Sequence, residues 1–156
     1  MDTLIATLLA WIAATGAYDT TAMPAPRVVE MTPQELTQEF YADAMQLMPE
    51  DGVDDRINAL FAHSDGPAGT IYIIAPRFVD DAVHFEDPRD NPLWREILLH
   101  ELVHHAQWRS GTAATWACQS FGEREAYILG GRYLKQVHAD DPMPNRMFWA
   151  QLYARC

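Results

Sequence analysis

Residues Leu98 to Trp108 read LLHELVHHAQW, and within them His100, Glu101 and His104 form the pattern H-E-x-x-H. At about 3.6 residues per turn, histidines four apart stack on one helix face, one turn from each other. Two neutral imidazoles so placed can grip one Zn²⁺, and Glu101, about 100° round the helix, can reach a water bound to that metal. Two ligands and a general base therefore arise from five consecutive residues.

The flanks place this motif inside a helix. Asn91 can cap, Pro92 suits the first helical position and Gly111 closes the far end. Leu93, Trp94, Ile97, Leu98, Leu99, Leu102, Val103 and Ala106 clothe it almost all round, which predicts burial in the middle of a domain. A histidine there has to be hydrogen-bonded or metallated. His105 points about 140° away from His100 and is not a ligand by this geometry. His63, His84 and His138 have no ligand spacing to another candidate and read as ordinary surface or turn histidines.

A catalytic zinc takes three protein ligands and keeps one open position, so a third ligand is required. It is expected on a helix from Phe121 to about Val137, where Glu123 and Glu125 compete. Ala126, Tyr127, Leu129, Gly130, Tyr133, Leu134 and Val137 make the apolar arc of that helix, and Glu123 falls within it. Glu125 falls with Arg124, Arg132, Lys135 and Gln136 and reads as solvated. Glu123 is therefore the expected ligand. Gly130, on the same face, would let this helix approach the metal helix closely.

With 156 residues and 49% hydrophobic content, the chain suits one domain with one substantial core over residues 1–156. A net charge of -11, with Lys135 the one lysine among eleven basic residues, argues against nucleic acid or an anionic membrane as partner. Leu4 to Ala14 is too short an apolar run to span a bilayer. It lacks a basic leader and a small-residue cleavage site, so a buried first helix is expected in place of an export signal, with the cytoplasm as default and the compartment open. Cys118 and Cys156 either pair, tying residue 156 to the segment before Glu123, or stay as buried thiols.

Along the chain, helical spacing predicts a helix over residues 3–15, capped by Asp2 or Thr3 and stopped at Gly16. A short strand is expected over 27–31. Thr32-Pro33-Gln34-Glu35 then opens a second helix as a capping box, running to about Met48, with an acidic loop over 49–55. Asn58–His63 and Thr70–Ile74 flank the turn-forming run Ser64 to Gly69 and predict a hairpin whose second strand packs on the metal helix. Residues 76–91 read as a loop. Asn145 can cap a last helix whose Met147, Phe148, Leu152 and Tyr153 close over the core.

HELVH at 100–104 followed by E-R-E-A at 123–126 resembles the gluzincin branch of zincin-like metallopeptidases. The stretches LLAWIAATGAYD, TPQEL, GTIYI and HELVHH are also similar to a group of small bacterial and phage H-E-x-x-H proteins, a likeness that brings no substrate. The gluzincin resemblance implies His100, His104 and Glu123 as metal ligands and Glu101 as general base. It also implies a minimal α+β zincin-like domain with a small sheet over the active-site helix, and Thr70–Ile74 as the edge strand that aligns substrate. Tyr127 stands where the family carries an aspartate that orients the first histidine. A chain of 156 residues is expected to have no room for the second lobe that supplies a transition-state-stabilising group, and Tyr72, Tyr127, Tyr133 and His84 are the candidates for that role.

The function expected from these readings is that of a zinc metallohydrolase, a peptidase with one Zn²⁺ per chain, acting on a peptide or protein through a water activated by Glu101. The rival is a non-catalytic zinc-binding interaction module of the same fold, which would have no need of Glu101. A metal-free scaffold would leave a buried Glu123 unexplained.

Overall fold

The computed structural model describes residues 1–156. Helix α1 (Asp2–Ala14) leads to strand β1 (Arg27–Met31), helix α2 (Pro33–Phe40), strands β2 (Ala59–Ala62) and β3 (Thr70–Ile74), and helices α3 (Pro92–Arg109), α4 (Glu123–Gln136) and α5 (Arg146–Tyr153). The result is a small α+β fold. No helix is long and apolar enough to cross a membrane.

The run Ser64 to Gly69 turns the chain as its composition predicts, so β2 and β3 pair antiparallel, with Leu60 opposite Tyr72. β1 joins the other side of β3 in parallel, with Val29 opposite Tyr72. The order β1-β3-β2 puts β3 in the centre. This corrects the expectation for Thr70–Ile74: its apolar residues on both faces suit a central strand, and β2 is the edge beside α3. The sheet packs on α3 as expected. Ile71 and Ile73 are fully buried, the Trp94 indole N–H donates to the Ile74 carbonyl at 2.8 Å, and Phe61 meets the His105 ring edge-on.

Local signals set most helix ends. The Thr32–Glu35 capping box is complete, and the Asn91 carboxamide accepts from the Leu93 N–H while donating to the Asp80 carbonyl. Asn91 thereby pins the 76–91 connection, which contains three short 3₁₀ turns, to the start of α3. α1 begins after Met1 with no side-chain cap, so neither Asp2 nor Thr3 serves as one. α2 stops at Phe40, well short of Met48. The Tyr41 hydroxyl donates to Asp54 and the Asp54 N–H donates to Thr37 Oγ1, so the acidic loop folds back over the place where the helix would continue. Asn145 adopts a left-handed conformation and gives no capping hydrogen bond to α5.

α5 also differs from expectation in the face it buries. Met147, Phe148, Leu152 and Tyr153 are exposed, while Arg146 and Ala150 are buried. Arg146 fixes the helix by donating to Glu96 of α3 at 2.8 Å and, through two nitrogens, to Asp141 at 2.7 and 2.8 Å. Breaking a buried pair of this kind by removing one partner costs about 3–5 kcal/mol. Gly130 and Gly131 make room for it: a Cβ on Gly130 would lie 2.0 Å from a Glu96 carboxylate oxygen, and one on Gly131 would lie 2.6 Å from Arg146 Cδ. The helix penalty of about 1 kcal/mol per glycine is the cost of that close approach.

Candidate metal centre

α3 carries His100 and His104 to the surface it shares with α4, and α4 begins with Glu123, so three side chains from two helices converge. His100 Nε2 lies 3.1 Å from Glu123 Oε2, His104 Nε2 lies 3.4 Å from Glu123 Oε1, and the two Nε2 atoms are 3.1 Å apart. These three residues form a group able to hold a metal ion. A tetrahedral ion with bonds of about 2.0–2.1 Å requires donors about 3.3 Å from one another, and these separations match it. The donor set of two imidazoles and a carboxylate also suits zinc.

The family profile that matches the chain spans residues 1–156, so the cluster lies within the matched region. The chain belongs to the DUF6647 family, a domain of unknown function. No curated protein and no solved structure matches it.

In this DUF6647 chain the imidazoles are held by neighbours that sequence reasoning missed. His104 Nδ1 lies 2.9 Å from Gln107 Oε1, an acceptor one turn along the same helix. A proton on Nδ1 leaves the Nε2 lone pair of the neutral ring free for a metal. Gln107 Nε2 donates in turn to the Gly122 carbonyl at 3.0 Å and to Glu125 at 3.3 Å, and the Tyr18 hydroxyl donates to the same Glu125 oxygen. Glu125 is therefore half-buried and hydrogen-bonded, which corrects its reading as a solvated carboxylate. The spacing of Gln107 from His104 was a usable signal, since residues three apart meet on a helix. The contact of Tyr18 with Glu125, 107 residues apart, had no local signature.

Tyr127 packs edge-on against His100 with ring centroids 4.8 Å apart. The ring thus limits the imidazole by contact where an aspartate would do so by hydrogen bonding. The remaining expected stabilising groups lie elsewhere: Tyr72 donates to Asp65, Tyr133 packs on Trp11, and His84 is exposed on a turn.

Glu101 is 7% exposed and opens into the cleft that His104 and Glu123 also line. Burial, opposed by the charges of His104 and His100, pushes its carboxyl pKa up. Burial also disfavours the charge on Glu123, yet hydrogen bonds from His100 and His104 hold its carboxyl well below the usual range. Burial likewise opposes a charge on His104, but the bond to Glu123 and the charges of Glu101 and Glu123 outweigh it and push the pKa up to about 9. Two carboxylates in one site thus have opposite tendencies, one to keep a proton and one to lose it.

The cleft has a volume of about 380 Å³. Its wall opposite α3 comes from edge strand β2, including Leu60 and Phe61, and its outer wall from the 110–122 segment, including Trp116. His63, expected as an ordinary turn histidine, also lines it, stacked on Trp108 at 3.7 Å. Gly122 makes the outer wall possible, because a Cβ there would lie 2.4 Å from Gln107 Oε1 and 2.9 Å from the Trp116 ring. Cys118 and Cys156 form a disulfide that ties this wall to the chain beyond α5, so of the two alternatives for these thiols the bridge holds. A second depression of about 320 Å³, lined by residues of the 80–93 and 139–142 segments, holds no histidine or glutamate.

Proposed function

We propose that this protein is a zinc-dependent peptidase in which His100, His104 and Glu123 hold the metal and Glu101 is the general base. The observation that carries the reading is the convergence of three donors at 3.1–3.4 Å, with a second, buried carboxyl, that of Glu101, opening into the same cleft. Zinc bound there would supply Lewis acidity, polarising a carbonyl and bringing the pKa of water towards about 7.

The remaining work belongs to the chain's own side chains. Glu101, with its raised proton affinity, takes a proton from water at its carboxylate and returns it to the leaving amine. Gln107, backed by Gly122 and Glu125, fixes the ring of His104, and Tyr127 fixes that of His100. Strand β2 is an edge of the sheet and Ala59, Leu60 and Phe61 from it line the cleft, so an extended peptide can lie there by strand addition. A non-catalytic zinc module would have no use for a buried Glu101 beside the metal ligands.

Elemental analysis of protein purified without added metal is expected to find about one zinc per chain, and a diverse peptide library should contain at least one cleaved member. Glu101→Gln should keep the zinc and lower turnover by about 10²–10⁴. Full zinc occupancy with no cleavage by wild type would favour the non-catalytic module, and absence of zinc would end both readings.

A further inference from the structure

Phe40, Phe61, Trp108 and Trp116 are among the side chains that line the cleft. Phe40 is 54% exposed and Trp108 40% exposed, a large apolar area to leave in water beside a polar cluster. Both indoles have fixed neighbours. His63 stacks on Trp108 with the rings 17° from parallel, and Trp116 sits in the space that Gly122 leaves. The apolar surface is therefore formed before any ligand arrives.

The ionisable groups lining the cleft are His63, Glu101, His104 and Glu123, with no arginine or lysine among them. The guanidinium and ammonium groups that grip a terminal carboxylate or a phosphate are absent from this lining, so apart from the proposed zinc no fixed positive charge would hold one. Glu123 is engaged by both histidines and Glu101 is buried, so neither is free to hold a terminal ammonium. The wall formed by β2 offers backbone groups, which recognise an extended chain without regard to its ends.

From this arrangement we propose that the cleft takes an internal, uncharged stretch of an extended peptide and seats one aromatic side chain between Trp108 and Trp116. This names the substrate class of the site and rests on the peptidase reading above. The site selects for an aromatic residue next to the bond presented to Glu101 and against acidic neighbours and free chain ends. A cleft of about 380 Å³ has room for one such side chain with its adjoining backbone.

The test uses full-length, zinc-loaded Glu101→Gln protein, which separates binding from turnover. Peptides acetylated and amidated at their ends, alike except for a central Phe, Ala, Asp or Lys, are titrated calorimetrically beside Phe peptides with a free amino or a free carboxyl end. The blocked Phe peptide is expected to bind at least about tenfold tighter than the Ala and Asp peptides and no weaker than those with free ends. Trp116→Ala and, independently, Trp108→Ala should bring the Phe/Ala ratio close to one with zinc content unchanged, which also reports that each variant has folded. Equal binding of all peptides, no binding, preference for a charged centre, or preference for a free end would overturn the proposal. Wild type that cleaves without aromatic selectivity would leave the peptidase reading standing and remove this one. Selective binding by Glu101→Gln with no cleavage by wild type would do the reverse.

Discussion

The two faces of α3 carry adjacent histidines in opposite surroundings. His104 points towards α4, where Gln107, His100 and Glu123 all lie within hydrogen-bonding reach of its ring nitrogens. His105 points towards the sheet and is fully buried against Phe61, its ring nitrogens close to the backbone of Pro24 and Ala68 but in no well-formed hydrogen bond. Burial alone would keep both neutral. It does so for His105, whose pKa it lowers, whereas the carboxylates around His104 reverse the outcome. Partners decide what a buried imidazole does, and sequence adjacency says nothing about them.

The strongest challenge to this contrast is to remove each ring. His104→Ala should abolish zinc binding measured by elemental analysis, an effect beyond the roughly 10–100-fold expected for losing a group behind the ligands. His105→Leu should bind zinc as wild type does and, by removing two buried ring nitrogens that make no well-formed hydrogen bond, change stability by less than about 1.5 kcal/mol in a denaturant melt. Loss of zinc in His105→Leu would show that the two faces are not independent.

Next in size is the support behind His104. Glu123→Ala should weaken zinc binding more than any change in the network behind it. Gln107→Leu and Glu125→Ala should each weaken it by about 10–100-fold, measured by competition with a chromophoric chelator. If Glu125→Ala equals wild type, the Tyr18–Glu125–Gln107 chain does not reach the metal face. If it exceeds Glu123→Ala, the choice of third ligand is wrong.

The smallest effect is in pH, and the two histidines contribute with opposite sign. For metal-free protein the folded pKa of His104, about 9, lies above the ordinary 6.5, so its stabilisation is complete below about 6.5 and is lost as pH rises through 9. His105 has a folded pKa below 6.5, so its neutral form fits above that value and stability falls as pH drops through the folded pKa. Melting curves of metal-free protein should decline on both sides. His105→Leu should lessen the decline only on the acid side, to which the lowered carboxyl of Glu123 also contributes, and saturating zinc should flatten the alkaline side. A single slope shared by all three samples would contradict the assignment.

Much of α3 was legible because its determinants are local: a cap at Asn91, Pro92 behind it, an apolar envelope and the 100–104 spacing. The phase of α4 likewise pointed Glu123 towards the cluster. The same phase argument failed for Glu125, because a pattern averaged over the whole helix ignores that its first turn lies against Gln107 and Tyr18. The end of α2 was lost to Asp54, and the central place of β3 to β1, which pairs with it from 43 residues away. The exposed face of α5 was hidden for a similar reason. Arg146 reaches Glu96 across 50 residues, and hydrophobicity alone would not choose an arginine as the anchor.

The pair Gly130-Gly131 carries a consequence for mutational tolerance. Neither residue belongs to the metal cluster, yet each occupies a space that Glu96 or Arg146 already fills to within 2.0–2.6 Å of a methyl group. Because the collision is at Cβ, every other amino acid meets it, and a replacement is tolerated only as far as the Glu96 carboxylate or the Arg146 side chain gives way. In a saturation library scored for zinc retention, positions 130 and 131 should therefore be restricted, though less than 100, 104 and 123. Substitution at the glycines, however, should also lower the yield of folded protein, whereas a ligand substitution should leave a folded chain without its metal.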